Sequence, residues 1–359
     1  MFLIVSYGVV GCVSSNQVRQ PELEEPKIVE IVEPSINPQS LEYLYQADNL
    51  AQFTKDPQYD RAIDLYSKAI EADPKNVQAY EGRADSYESL KHYDKAIADL
   101  TQSIAVEPQN VSAYKNRASI YYYHLDEGDR AIADLTEAIN LATKEKSESR
   151  KRSPNLPDYK YYFVHLLYKF RANVFLELEQ FDRAIDDANQ LITLRPEAVS
   201  YHFRAGIYQE AKQYENAIAD ENQAIAMLPN YAHAHRRRAE IYGELKQYEQ
   251  AIADYTKAIS FYADYLDFGS NSADYANAYL GRADTYRQLK QYEQAIADYD
   301  NSLAVYPEYA YAYKNRGELY QELGNTSQAK QDLAQAANLF EEQENTEEYQ
   351  MVKQQLQQL

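Results

Sequence analysis

Six histidines, one cysteine and two evenly spaced rows of charge are the residues through which this chain could do chemistry. The histidines are His92, His124, His165, His202, His233 and His235. His233 and His235 form an H-x-H, but two residues apart on a helix they point to different faces and cannot share a metal ion. The sequence holds no H-E-x-x-H, no glycine-rich phosphate loop and no G-x-S-x-G elbow. Acidic pairs such as Asp186-Asp187 sit at positions that recur along the chain, where solvation explains them better than acid–base work. The reading is a non-catalytic protein with no metal and no cofactor.

Cys12 is the only cysteine, which excludes an internal disulfide framework and a cysteine zinc cluster. It closes the apolar run MFLIVSYGVVGC, residues 1–12, which is too short to cross a bilayer as a helix. That run resembles the end of a bacterial lipoprotein signal peptide: an apolar stretch, the small Gly11, then a cysteine positioned to receive a lipid. No lysine or arginine precedes Cys12, a departure from the positive start of such peptides. The resemblance implies lipid attachment at Cys12 and a membrane-anchored place in the bacterial cell envelope. A soluble cytoplasmic protein is the alternative. Residues 13–40 carry Pro21, Pro26, Pro34 and Pro38 among glutamates, a composition that cannot bury enough apolar surface to order itself, and read as a disordered tether.

The formal charge of −20, from 56 acidic and 36 basic residues, repels phosphate backbones and excludes nucleic acid as a partner. It also leaves a membrane reachable only through the expected N-terminal lipid. Within that acidic background stands one row of arginines, Arg83, Arg117, Arg171, Arg204, Arg238, Arg282 and Arg316. A row of aspartates follows each by 16 or 17 residues: Asp99, Asp134, Asp187, Asp220, Asp254, Asp298 and Asp332. The arginines alone would suit an anion-binding ladder. Since the aspartates keep step with them, the favoured reading pairs each arginine with an aspartate of its own or the next unit, the stem packing on nearby rings.

Charge rows this regular need elements that repeat. The segment AYEGRADSYESLKHYDKAIADLTQSIAVEPQN, residues 79–110, recurs as AYLGRADTYRQLKQYEQAIADYDNSLAVYPEY, residues 278–309. After each arginine comes a small residue, Ala84, Ala118, Ala172, Ala205, Ala239, Ala283 or Gly317, and three residues later a ring: Tyr87, Tyr121, Phe175, Tyr208, Tyr242, Tyr286 or Tyr320. A second set of alanines, Ala62, Ala96, Ala131, Ala184, Ala217, Ala251, Ala295 and Ala329, opens a second apolar face and makes eight units. Apolar spacings of three and four residues predict amphipathic helices. A small residue lets two helix backbones approach, and the ring fills the space beside it. Pro74, Pro108, Pro196, Pro229 and Pro307 fall where each second helix must end.

This pattern resembles the tetratricopeptide repeat over residues 41–340, with insertions near 142–158 and 263–275. The resemblance implies an all-α fold, a right-handed α-solenoid of about eight helix-turn-helix units whose inner groove is lined by the first helices. Asn345 followed by Glu348, with Tyr349, Val352, Leu356 and Leu359 on one stripe, predicts a capping helix over 345–359 that covers the last apolar face. The fold implies a scaffold that binds a protein or peptide partner. Lys169 and Asn173 resemble the start of the carboxylate clamp of tetratricopeptide co-chaperones, whose further positions here hold Phe203, His233 and Arg237. With Arg236 and the neighbouring His235 and Arg238 these form the most basic stretch of the array, so an acidic peptide segment is the expected ligand. The first insertion's Lys144, Lys146, Arg150, Lys151 and Arg152 read as a longer helix end and a solvated loop. The second insertion's Tyr265, Leu266 and Phe268 read as packing back on the array.

Overall fold

A computed structural model describes residues 37–52, 57–152, 159–263 and 272–359, and in these there are 17 α-helices and no strand. Cys12, most of the expected tether, and Tyr265, Leu266 and Phe268 lie outside the described residues.

The first helices of the eight units are α1 (Pro38–Ala51), α3 (Val77–Ser89), α5 (Val111–Leu125), α7 (Tyr159–Glu177), α9 (Ala198–Glu210), α11 (Ala232–Glu244), α13 (Ser272–Gln288) and α15 (Ala310–Glu322). The second helices are α2 (Tyr59–Ala72), α4 (Tyr93–Val106), α6 (Gly128–Arg152), α8 (Phe181–Leu194), α10 (Tyr214–Met227), α12 (Tyr248–Ala263), α14 (Tyr292–Val305) and α16 (Thr326–Glu342), and α17 (Thr346–Gln357) closes the array. Each helix packs on its chain neighbours, and the first helices of successive units also approach one another more closely than the second helices do. First helices therefore form the inner, shorter-radius layer of an α-solenoid.

Alanine makes this stacking possible. The alanines of both sets are buried, because any larger side chain there would push apart two backbones in contact. In the last unit Gly317 takes that place, and a β-carbon on it would come within 2.9 Å of the Leu333 side chain. Two of the three tyrosines at one register of the second helices meet a glycine on the next first helix: Gly82 admits the Tyr66 ring and Gly281 admits the Tyr255 ring, with no space for a β-carbon at either position.

Helix boundaries move the expected limits at the first unit and the second insertion, and agree with the longer helix end expected at the first insertion. α1 begins at Pro38, with the Asn37 side chain accepting from the Gln39 N–H, so residues 38–40 belong to the array and not to the tether. α6 continues through the first insertion to Arg152, and α13 already includes residues 272–275 of the second. At the other end Asn345 caps α17 by accepting from the Glu348 N–H at 3.3 Å. Val352 is buried there, and Tyr349, Leu356 and Leu359 pack beside it over Leu333 and Phe340. Among the described residues no helix is long and apolar enough to cross a membrane.

Candidate functional site

The arginine and aspartate rows lie between the layers. In all seven units the arginine Nε and one Nη donate to the two carboxylate oxygens of its aspartate, at 2.6–2.9 Å. The remaining Nη donates to the second helix of the preceding unit: to Ser67 from Arg83, Thr101 from Arg117, Thr136 from Arg171, Asn189 from Arg204, Asn222 from Arg238, Thr256 from Arg282 and Asp300 from Arg316. Each guanidinium thus ties its own first helix to two second helices. Most also lie within about 6 Å of the ring three residues upstream, as Arg117 does over Tyr114. Spacing in the sequence reveals the aspartate partner; the bond to the preceding unit is carried by residues too varied in type to stand out.

The groove residues expected from the sequence lie on a different stripe of the first helices, one that runs i, i+3, i+4, i+7. In α7 it reads Leu166, Lys169, Phe170, Asn173; in α9 Val199, His202, Phe203, Gly206; in α11 His233, Arg236, Arg237, Glu240. All six groove residues expected from the sequence fall on it. The Lys169 ammonium stands 5.5 Å from the centre of the Phe203 ring. Asn173 is half-buried one turn on. His233 Nδ1 is 3.0 Å from the Tyr262 hydroxyl and 3.9 Å from Asp274, and Arg236 bonds Glu240 and reaches Asp274 at 3.8 Å.

Arg237 is held differently. Its guanidinium lies flat on Gly206, where a β-carbon would come within 2.9 Å of Nη1. Its contacts are long, 3.5 Å from Nη1 to Gln209 Oε1 and 3.4 Å from Nε to Glu221 Oε1, and the buried Nε makes no hydrogen bond. Unlike the seven clasped arginines, it has no close carboxylate partner.

Glu221 is the residue that sequence reasoning missed. It follows Asp220 at the position that Tyr66, Leu100, Leu135, Ala188, Tyr255, Tyr299 and Leu333 fill in the other units, so one carboxyl group stands where seven apolar or aromatic side chains stand. Comparing that single register position between units would have found it. Glu221 is fully buried, and His202 Nδ1 lies 2.8 and 3.1 Å from its two oxygens. Burial pushes the Glu221 carboxyl up to about 9, against the opposing pull of Arg237. Burial, with Arg237 and Arg236 adding to it, pulls His202 down to about 3. The pair accordingly holds one proton across the neutral range, and Glu221 brings no negative charge to Arg237.

Charge along the inner stripe changes sign twice. Glu81 and Asp85 of α3 make it acidic at one end, with burial and then Glu88 and Glu81 pushing Asp85 up to about 6. At the other end Asp284 of α13 is acidic, while in α15 Glu318 is offset by Lys314. Between them stand Lys115 of α5, then units four to six with Lys169, Arg236 and Arg237, and Glu240 bonded to Arg236. No group of His, Cys, Asp and Glu among the described residues could hold a metal ion.

Four family models, each describing a tetratricopeptide repeat, match residues 54–120, 171–232, 230–308 and 284–357. No curated protein sequence matches the chain. Among solved structures it is similar to the C-terminal part of a TPR repeat-containing protein from Cytophaga hutchinsonii, at 19% identity over 75% of this chain and 97% of that one, with a TM-score of 0.54. It is also similar to BtubC from P. vanneervenii, at 16% identity over 60% of this chain and 92% of that one, with a TM-score of 0.52. At such identities the likeness is one of fold alone.

Proposed function

We propose, from the premise that the chain is a tetratricopeptide-repeat protein, that it is a non-catalytic scaffold holding an acidic segment of a partner protein along the inner stripe of units four to six. The observation that carries this is Arg237, a half-buried cation seated on Gly206 without a close carboxylate, in a chain whose net charge is −20. An acidic side chain or a C-terminal carboxylate supplies the two-pronged acceptor that a guanidinium fits. Lys169 and Arg236 add field around it, and the acidic sectors on either side turn away acidic chains that are out of register.

A fluorescein-labelled peptide rich in aspartate and glutamate tests this by anisotropy at low salt. Arg237→Gln is expected to weaken binding about tenfold, or about 1.4 kcal/mol, and added salt to weaken it further. Equal binding by wild type and Arg237→Gln, or equal binding of a lysine-rich peptide, contradicts the reading. The lipid anchor at Cys12 is part of the proposal and supplies the scaffold's place at a membrane. Metabolic labelling with a fatty acid is expected to mark the chain and to disappear in Cys12→Ser; label that does not depend on Cys12 removes the anchor.

A further inference from the structure

Beside the basic sector lies a ledge of exposed rings and aliphatic side chains that breaks an otherwise polar pattern. Tyr123, six residues after Arg117 on α5, corresponds to Ser89, Glu177, Glu210, Glu244, Gln288 and Glu322 in the other units. Leu166 and Val199, five residues before Arg171 and Arg204, correspond to Gln78, Ser112, His233, Asn277 and Tyr311. Apart from Tyr311 of α15, itself an exposed ring, the exceptions fall on three consecutive first helices, α5, α7 and α9, and two of them stand on the inner stripe next to Lys169 and Phe203.

These side chains are open to solvent although packing partners are at hand. Tyr123 stacks on Phe170 with ring centres 5.6 Å apart and planes 14° from parallel, and Tyr122 meets the edge of both rings. Tyr123 nevertheless stays 64% exposed, while Leu166 is 40% and Val199 49% exposed. A stacked pair of rings is a stiff platform, and covering its exposed part displaces water from apolar surface at little entropic cost.

We infer that this ledge takes one aromatic or large aliphatic side chain of the same segment whose acidic group reaches Arg237. The inference rests on the proposed groove reading, and charge complementarity at Lys169 and Arg237 chooses the occupant. Neighbouring first helices lie about 8–10 Å apart, so Leu166 and Tyr123 stand roughly 16–30 Å from Arg237, two and three units on, with Val199 of α9 between them. An extended chain covers about 3.4 Å per residue. The partner is thus an extended, acidic segment with one bulky apolar residue about five to nine positions from its acidic group.

Anisotropy with the full chain and five labelled peptides tests this. Two carry phenylalanine seven residues before or seven residues after an Asp-Glu pair, two are the same with serine for phenylalanine, and one places phenylalanine next to the pair. One spaced phenylalanine peptide is expected to bind at least tenfold tighter than its serine counterpart and than the adjacent version. Tyr123→Ser and, separately, Leu166→Ser remove that advantage while leaving the serine peptide's affinity and the melting temperature unchanged. Equal binding of phenylalanine and serine peptides in both directions overturns the ledge. If the serine peptides still bind and Arg237→Gln weakens them, the groove reading stands without it; if no peptide binds, both fall. A fall in molar mass by light scattering for Tyr123→Ser, with peptide affinity unchanged, identifies the ledge as a contact between copies and equally overturns the inference.

Discussion

Arg238→Ala is expected to lower the stability of the array by about 3 kcal/mol, the scale of removing one partner from a buried ion pair. Arg238 is only 14% exposed at its side chain and Asp254 5%. The change leaves the Asp254 carboxylate with His235 Nδ1 at 3.5 Å as its remaining partner, and it also releases Asn222 of the preceding second helix. A solenoid is held by contacts between neighbours, so a break in the sixth of eight units weakens the coupling of the array on both sides of it. Urea or thermal unfolding followed by circular dichroism reads the loss. Replacing Arg238 and Asp254 together by Met and Leu is expected to recover much of it, because no charge is then left without a partner. Unchanged unfolding in Arg238→Ala would mean that the clasps carry no stability.

The second large effect concerns pH. Glu221 keeps its proton in the folded chain up to about 9, whereas its ordinary value is 4.5. Between those values the folded state binds more protons than the unfolded one, so stability falls as pH rises. His202 runs the other way, since burial brings it from 6.5 to about 3, and the unfolded chain takes up the extra proton between those values. From about pH 4.5 to 6.5 the two slopes oppose and largely cancel. Above 6.5 only Glu221 remains, and the wild type is expected to lose about 3 kcal/mol by pH 9 at about 1.4 kcal/mol per pH unit. Glu221→Leu places at this position the residue that units two, three and eight carry there, and it is expected to flatten that alkaline slope. Unfolding midpoints at pH 6.5 and pH 9 decide it; a wild-type slope that persists in Glu221→Leu contradicts the assignment.

The helical layers were the most legible part of the sequence because their cause is local and repeated: a buried small residue at each crossing, a ring three residues later, a proline after most of the second helices. Helix ends were less legible. Among the described residues, the residue that closes a first helix in the left-handed conformation is Lys91, Asp126, Glu179, Lys212, Lys246 or Lys290, and only Gly324 is a glycine there. Nothing in those side-chain types announces a conformation that favours glycine. The inner stripe was half legible. Its basic side chains stood out against an acidic chain, but Glu221 lies on the second helix, where a single acidic residue looks like any solvated one until its register partners are set beside it. What holds Arg237 in place was hidden for a related reason, since Gly206 is an unremarkable residue until the arginine of the next unit is seen lying on it.

One paired measurement separates the roles of two adjacent arginines, and with them the central claim that the inner stripe binds while the interlayer rows hold the fold. Melting temperature and affinity for the acidic peptide are determined for Arg237→Gln and Arg238→Ala side by side. The structure predicts that Arg237→Gln loses affinity about tenfold and melts like the wild type, while Arg238→Ala melts several degrees lower and, below its transition, binds like the wild type. Lost binding with unchanged melting in Arg238→Ala, or lost melting with unchanged binding in Arg237→Gln, would contradict it.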